Sequence, residues 1–202
     1  MSMEWHTRIW LAGMPIAAGA ELGINEDHGD PQRRTRVNDW NGYARSKGTI
    51  PSRHRKLYDI SLECEDRWGP AFDDVSIGER REFHSSKHDT TYIPAGQSSV
   101  TLRRFPVPEA TKPSGYAVLA YRVDNGAPIA VTVVGRTVSI VPQDVAVVIR
   151  VRPIRAVEIV EITPGRAIEK DGKQSWGMKL MEIEPPVDWT PGTPLQQLGA
   201  FA

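Results

Sequence analysis

The stretch "YAVLAYRVDNGAPIAVTVV", Tyr116 to Val134, decides the expected fold of this chain. Two apolar runs flank Asn125-Gly126, a dipeptide that readily adopts the positive backbone dihedral angles required by a tight β-turn. Both runs are rich in valine and other residues that favour strands. The stretch therefore predicts an antiparallel hairpin with strands in Tyr116–Val123 and Pro128–Val134.

The sequence after this hairpin predicts more strands of the same kind. Gly135-Arg136 is typical of a second turn, and "TPGR" and "KDGK" indicate loops before the last strand. In "VAVVIRV" nearly every position is apolar until Arg150, which favours a strand covered on both faces. The predicted strands are Thr137–Val141, Val145–Val151, Val157–Ile162 and Trp176–Glu184.

The first third of the chain shows the alternation of a half-buried strand. In "YDISLEC", Tyr58, Ile60, Leu62 and Cys64 occupy one face, and acidic or polar residues occupy the other. A first strand is expected in Thr7–Leu11. The Asn-Gly pair in "NDWNGYARSKG" predicts another hairpin or loop.

Composition agrees with an all-β protein. The 202 residues include 17 glycines and 16 prolines, which disfavour long helices. We expect an all-β sandwich or barrel of roughly eight to eleven short strands.

Residues 1–186 are predicted to form one domain, in which residues 85–115 are a polar insertion or long loop. Residues 187–202 are predicted to be an extended C-terminal arm.

Charge and cysteine content narrow the classes of function. Lys plus Arg and Asp plus Glu each total 25, so no net charge attracts nucleic acid or an anionic membrane. A single cysteine excludes an intrachain disulfide. The N-terminal stretch lacks the pattern of a signal peptide, and no apolar run is long enough for a membrane helix. We expect a soluble protein made in a cytoplasm.

Two candidate sites contain nucleophilic or metal-binding residue types. Cys64 has acidic sequence neighbours that would raise the pKa of a thiol, and its phase on the strand favours a core position. His84 and His88 have i, i+4 spacing, and Asp89 could complete a weak metal site. The surrounding sequence is a poor helix, so surface histidines are the favoured interpretation. We predict no metal and no cofactor.

The sequence contains only weak patterns for an enzyme, a carbohydrate-binding module or a nucleic-acid-binding protein. The nucleophile and phosphate-loop motifs are absent, and we predict no catalytic residues. A cell-wall hydrolase with dispersed carboxylates stays open, because such carboxylates have no local sequence signature. Six tryptophans would suit a carbohydrate-binding face as well as core or interface anchors. Basic clusters such as Arg103-Arg104 lack interleaved aromatics, so we predict no specific nucleic-acid partner.

One longer pattern resembles a known class of proteins. "RKLYDISLECEDRWGPAFDDVSIGE", Arg55 to Glu79, has a basic-aromatic strand, Cys-x-Asp, Pro-Ala-aromatic-Asp and an apolar-x-apolar-Gly turn. It follows the "NDWNG" loop, and "WGMKLMEIEP", Trp176 to Pro185, adds an aromatic-led strand that ends in acids. Together these pieces resemble small structural proteins of tailed bacteriophages that build tail tubes, distal tail rings, and neck or baseplate rings.

The resemblance implies a virion protein with a β-sandwich or β-barrel core, no enzymatic activity and no residues of a catalytic site. Its partners would be copies of itself in a ring, which we expect to be hexameric, and other tail or neck proteins. Apolar strands and a proline-rich arm suit such contacts. The predicted subunit contacts are Val145, Val147, Ile149, Val151, Val157, Ile159, Trp189, Leu195, Leu198 and Phe201.

Overall fold

The chain is all-β, as the sequence predicts. A computed structural model describes residues 10–11, 24–29, 35–38, 44–47, 57–64, 75–167, 174–185 and 188–195, with only the backbone for some strand residues. Fifteen strands and no α-helix occur within these ranges. The number of strands exceeds the predicted eight to eleven, because several are only two or three residues long.

The chain divides into two compact units. Unit 1 comprises residues 1–82 and 156–202, and unit 2 comprises residues 83–155. The first strands are β1 (Trp10–Leu11), β2 (Ile24–His28), β3 (Thr35–Asn38), β4 (Ala44–Lys47), β5 (Asp59–Cys64), β6 (Arg80–His84), β7 (Asp89–Ile93) and β8 (Ser99–Thr101). The others are β9 (Val118–Arg122), β10 (Pro128–Ile129), β11 (Thr132–Val134), β12 (Thr137–Ser139), β13 (Val147–Val151), β14 (Ile154–Ala167) and β15 (Gln174–Glu182). The chain enters unit 2 within β6 and leaves it within β14.

Unit 1 is built on a six-stranded sheet with the strand order β1-β6-β14-β15-β5-β2. The inward residues of β5 are Ile60, Leu62 and Cys64, all buried, which confirms the predicted alternation. They pair in register with Leu180, Met178 and Trp176 of β15, which are buried too. Strands β3 and β4 form a separate antiparallel pair, with Thr35 opposite Lys47 and Asn38 opposite Ala44, which agrees with the hairpin of the two predicted alternatives.

Strand β14 is longer than its sequence predicts. The expected strand Val157–Ile162 extends from Ile154 to Ala167, so "TPGR" belongs to the strand and is not a loop. The pairing with β15 shifts register between Ile159 and Glu161 and again between Thr163 and Arg166. Such bulges accommodate an extra residue without ending the strand. The second shift explains how β14 continues through Pro164-Gly165.

Unit 2 contains the predicted hairpin turn at Asn125-Gly126, but the predicted second strand, Pro128–Val134, is divided into β10 and β11, which belong to different sheets. Strand β9 pairs with β10, with Tyr121 opposite Pro128, and Gly126 in the turn has a φ of 69°. The second predicted turn joins β11 to β12, and Val134 pairs with Thr137. Strands β10-β9-β13-β7 form one sheet, and strands β11-β12-β8 form another.

The two sheets of unit 2 share one hydrophobic core, an arrangement typical of a β-sandwich. Buried residues of the four-stranded sheet include Ile93, Val147 and Ile149, which belong to the same cluster as Val133 and Val138 of the three-stranded sheet. The prediction that β13 is covered on both faces is wrong. Only alternate residues of β13 are buried, and the outward Arg150 is exposed.

A charged cluster lies within the buried part of unit 2. Asp89 accepts a hydrogen bond of 2.8 Å from Nη2 of Arg155 and one of 2.7 Å from Nη1 of Arg104. The Arg155 and Arg104 side chains are almost completely buried, whereas Asp89 is partly accessible. One carboxylate therefore bridges two guanidinium groups from distant parts of the sequence.

Two predicted boundaries differ from the observed units. The polar segment 85–115, expected as an insertion or long loop, contains β7 and β8 and is part of unit 2. In the predicted arm, Trp189 is buried, and its indole donates a hydrogen bond to the Thr193 carbonyl. The Gly192 amide donates to Glu82, also in unit 1. That residues 1–186 form a single domain stays a prediction.

Candidate interaction surfaces

The outward side of the unit 1 sheet, which we call the acidic face, carries many carboxylates. On a strand, residues that alternate with buried ones point away from the core. Registers between β2, β5, β15 and β14 place these outward positions side by side. Among the side chains that the structure describes, they contribute five carboxylates against one ammonium group, namely Asp27, Asp59, Glu63, Glu158 and Glu161 against Lys179. Arg80 of the neighbouring strand β6 adds a guanidinium group, which contacts Glu158.

The bulge in β14 adds an apolar element to the acidic face. Because the register shifts after Ile159, consecutive residues Val160 and Glu161 are both exposed. The Gly78 amide donates to the Ile159 carbonyl at 2.8 Å, which holds the turn at Ile77 beside β14. A positive φ of 89° at Gly78 fits the preference of glycine for this turn. Ile77 is largely exposed.

A groove of 460 Å³ lies between this turn and strands β5, β14 and β15. Its lining includes Ile77, Val160 and Met181 as apolar side chains, with Asp59, Glu158 and Lys179 as charged ones. Arg80 contacts Glu158 at 3.4 Å, and Lys179 donates to Glu161 at 2.7 Å. The bond to Glu161 raises the pKa of Lys179. The groove therefore offers apolar contacts beside two ion pairs, and the excess of carboxylates on the surrounding face keeps that face negative.

The outward side of the four-stranded sheet in unit 2, which we call the aromatic face, differs in character. The register aligns Tyr92 of β7, Val148 of β13 and Tyr121 of β9 in one row across the sheet. The next row joins Thr90, Arg150 and Leu119. Tyr92 is 63% exposed, a large value for an aromatic side chain. Arg150 is the only charged residue among these outward strand positions.

Two arginines, Arg150 and Arg152, act on His88. The pKa of the neighbouring His88 is lowered first by partial burial and then by the charges of Arg150 and Arg152, while Glu109 opposes the shift. A lowered histidine pKa is the response expected near cations. The two faces thus carry opposite charge, and both include exposed apolar groups.

Most of the predicted subunit contacts are buried inside the chain itself. Val147, Ile149 and Val151 face the core of unit 2, and Val145 is half-buried. Val157, Ile159, Trp189 and Leu195 are also buried. Leu198 and Phe201 lie outside the described residues. The burial of these valine and isoleucine side chains explains why β13 and β14 are so apolar. In this conformation the buried side chains are inaccessible to a second subunit.

The positions of Tyr92, Tyr121 and Arg150 were not singled out from the sequence. Their phase relative to the buried residues of the same strands was a usable signal, because every second residue of a one-sided sheet faces out. Pairing between β7 and β13 could not be deduced, since β7 lies in the segment predicted to be a polar loop. The row of side chains across the sheet depends on that pairing.

The predicted chemical candidates occupy structural positions. Cys64 is buried, in agreement with a core role. Asp89 bridges two arginines, Arg104 and Arg155. Across the described side chains, no cluster of three or more His, Cys, Asp or Glu residues could hold a metal ion.

Three glutamates are buried in the described part of unit 1, and each has a polar partner. Glu26 contacts His28 at 2.5 Å, and the His28 ring lies 5.2 Å from the Tyr58 ring. Glu182 accepts a hydrogen bond from the Tyr58 amide. Glu82 accepts one from the Gly192 amide at 2.7 Å. Such bonds offset the cost of burying charged groups.

Of the tryptophans considered for carbohydrate binding, Trp176 and Trp189 are buried. Only the backbone is described at Trp10, and Trp5, Trp40 and Trp68 lie outside the described residues. No exposed indole is therefore found among the described side chains. The exposed rings on a sheet face are those of tyrosines.

No protein-family model matches the sequence, and no curated protein matches it significantly. None of the described residues form a helix with the length and apolar character needed to cross a membrane.

Proposed function

We propose that this chain is a non-enzymatic structural protein that assembles with copies of itself into a ring, in the tail or neck of a tailed bacteriophage. The observation that carries the self-assembly part is the presence of two outward sheet faces of opposite charge with exposed apolar groups. The phage assignment rests on the sequence resemblance described above. Virion assembly would follow synthesis in the host cytoplasm.

Exposed apolar residues support an assembly role. Besides Tyr92, the side chains of Val123, Val134 and Val141 in unit 2 are more than half exposed. Large exposed apolar groups are commonly associated with interaction sites. The buried glutamates of unit 1 have partners within the core, which favours a structural role over a catalytic one.

Negative-stain electron microscopy of the purified chain tests ring formation. The expected result is closed rings of uniform diameter, with sixfold symmetry in end-on views. Isolated small particles at all concentrations would contradict the proposal. Immunogold labelling of intact virions would then test the assignment to the tail or neck, and label confined to another part of the particle would contradict it.

A carbohydrate-binding module for host recognition is the second candidate, favoured by the row Tyr92-Val148-Tyr121. Flat aromatic rings on a sheet face could stack on sugar rings. A glycan array discriminates between the two functions. Binding to a defined glycan that is lost in Tyr92→Ala would favour this candidate, and no binding to any glycan would count against it.

A further inference from the structure

We propose that the aromatic face of one copy docks on the acidic face of a second copy of this chain. This inference rests on the proposed self-assembly and specifies the two surfaces that meet. Tyr92, Val148, Tyr121 and Arg150 form the first surface. The groove at Ile77 and its surrounding carboxylates form the second.

Charge complementarity favours this pair of surfaces over the alternatives. Among the described side chains, the acidic face carries five outward carboxylates against the two cations Lys179 and Arg80, whereas the only charge among the outward strand positions of the aromatic face is Arg150. Two acidic faces would repel one another, and two aromatic faces would place arginine near arginine. Pairing of unlike faces brings opposite charges together, which guides association and excludes wrong partners.

The apolar groove of the acidic face and the tyrosine rings of the aromatic face are also complementary. The groove on the acidic face has apolar walls at Ile77 and Val160, and its 460 Å³ lies within the range of sites that enclose drug-sized ligands, about 300–1,000 Å³. The aromatic face presents tyrosine rings, which are enriched at protein interfaces. An exposed tyrosine is thus a suitable occupant of the groove, with Arg150 directed to the surrounding carboxylates.

The contact is heterologous, because it joins two different surfaces. Each copy retains one free face of each kind after a single contact, so the association can continue. If the rotation between successive copies closes, the product is a ring. This geometry connects the inferred contact to the proposed ring assembly.

Charge reversal tests the contact in the full-length chain. Arg150→Glu alters only the aromatic face, and Glu63→Lys/Glu161→Lys alters only the acidic face. Arg103→Glu and Asp188→Lys are matched controls, because both residues are exposed and lie outside the two faces. Sedimentation velocity measures self-association at low salt, and circular dichroism checks that each variant is folded.

We expect each reversal to weaken self-association at least tenfold and the controls to leave it unchanged. Mixing the two reversed variants should restore association, because the acidic face of Arg150→Glu remains complementary to the aromatic face of the other variant. Tyr92→Ala is expected to weaken self-association by the same factor. It is used instead of a charge-reversal variant if that charge-reversal variant does not fold.

The outcomes separate the two proposals. If the unmodified chain self-associates but the face variants match the controls, the inferred contact is wrong and the assembly proposal stands. Failure of the mixture to associate, after both variants have lost self-association, also overturns the contact. A chain that never self-associates overturns both.

Discussion

Replacing Asp89 with asparagine is expected to lower the free energy of unfolding by about 3 kcal/mol. Asp89 bridges Arg155, whose side chain is 1% exposed, and Arg104, whose side chain is 8% exposed. Breaking a buried ion pair by removing one partner costs about 3–5 kcal/mol, because the remaining charge stays buried. The lower end applies here, since asparagine keeps one acceptor oxygen and Asp89 itself is 26% exposed.

Urea unfolding followed by far-UV circular dichroism measures this loss. All six tryptophans lie outside residues 83–155, so tryptophan fluorescence would not monitor unit 2 directly. With an m-value of about 1–3 kcal/mol/M, the midpoint should fall by roughly 1–3 M. Asp144→Asn is the matched control, because Asp144 also contacts an arginine, Arg122, at 3.0 Å but is 77% exposed. Its cost should be about 0–1 kcal/mol. Equal midpoints for the two variants would refute the reasoning.

Three further predictions concern single residues. Cys64→Ser places a hydroxyl in the core and should cost about 1–3 kcal/mol in urea unfolding, and rapid reaction of the native thiol with a thiol reagent would contradict its burial. Gly126→Ala should cost about 1–2 kcal/mol in thermal unfolding, because its φ of 69° is unfavourable for alanine although open space surrounds the new Cβ. Because the folded state lowers the pKa of His88 below 6.5, the unfolded state binds more protons as the pH falls through that value. Stability should therefore fall on acidification, and by less in His88→Gln. An equal fall in both proteins would contradict this prediction.

Regular alternation made part of the fold predictable from the sequence. The β9–β10 hairpin and the buried face of β5 follow from local patterns that the structure preserves. Strand β2 was not predicted, because "INEDH" has one apolar residue and its buried position is occupied by Glu26. The continuation of β14 through a Pro-Gly pair depends on a bulge, for which the sequence offers no clear signal.

The candidate surfaces were less predictable, because they depend on which strands are neighbours. Apolar density identified Val147, Ile149 and Ile159 as important, yet it could not distinguish a subunit contact from the core of the same chain. Tyr92 becomes part of a row only through the pairing of β7 with β13. Likewise, the carboxylates of the acidic face come from three strands, β2, β5 and β14, that are distant in sequence.

The proposed assembly of this chain with itself into a closed ring can be tested by native mass spectrometry of the 202-residue chain, because this method counts the subunits in each species. We predict one dominant oligomer of defined size, expected to contain six copies of the chain. A monomer at every concentration, or an open-ended ladder of oligomers without a preferred size, would contradict it.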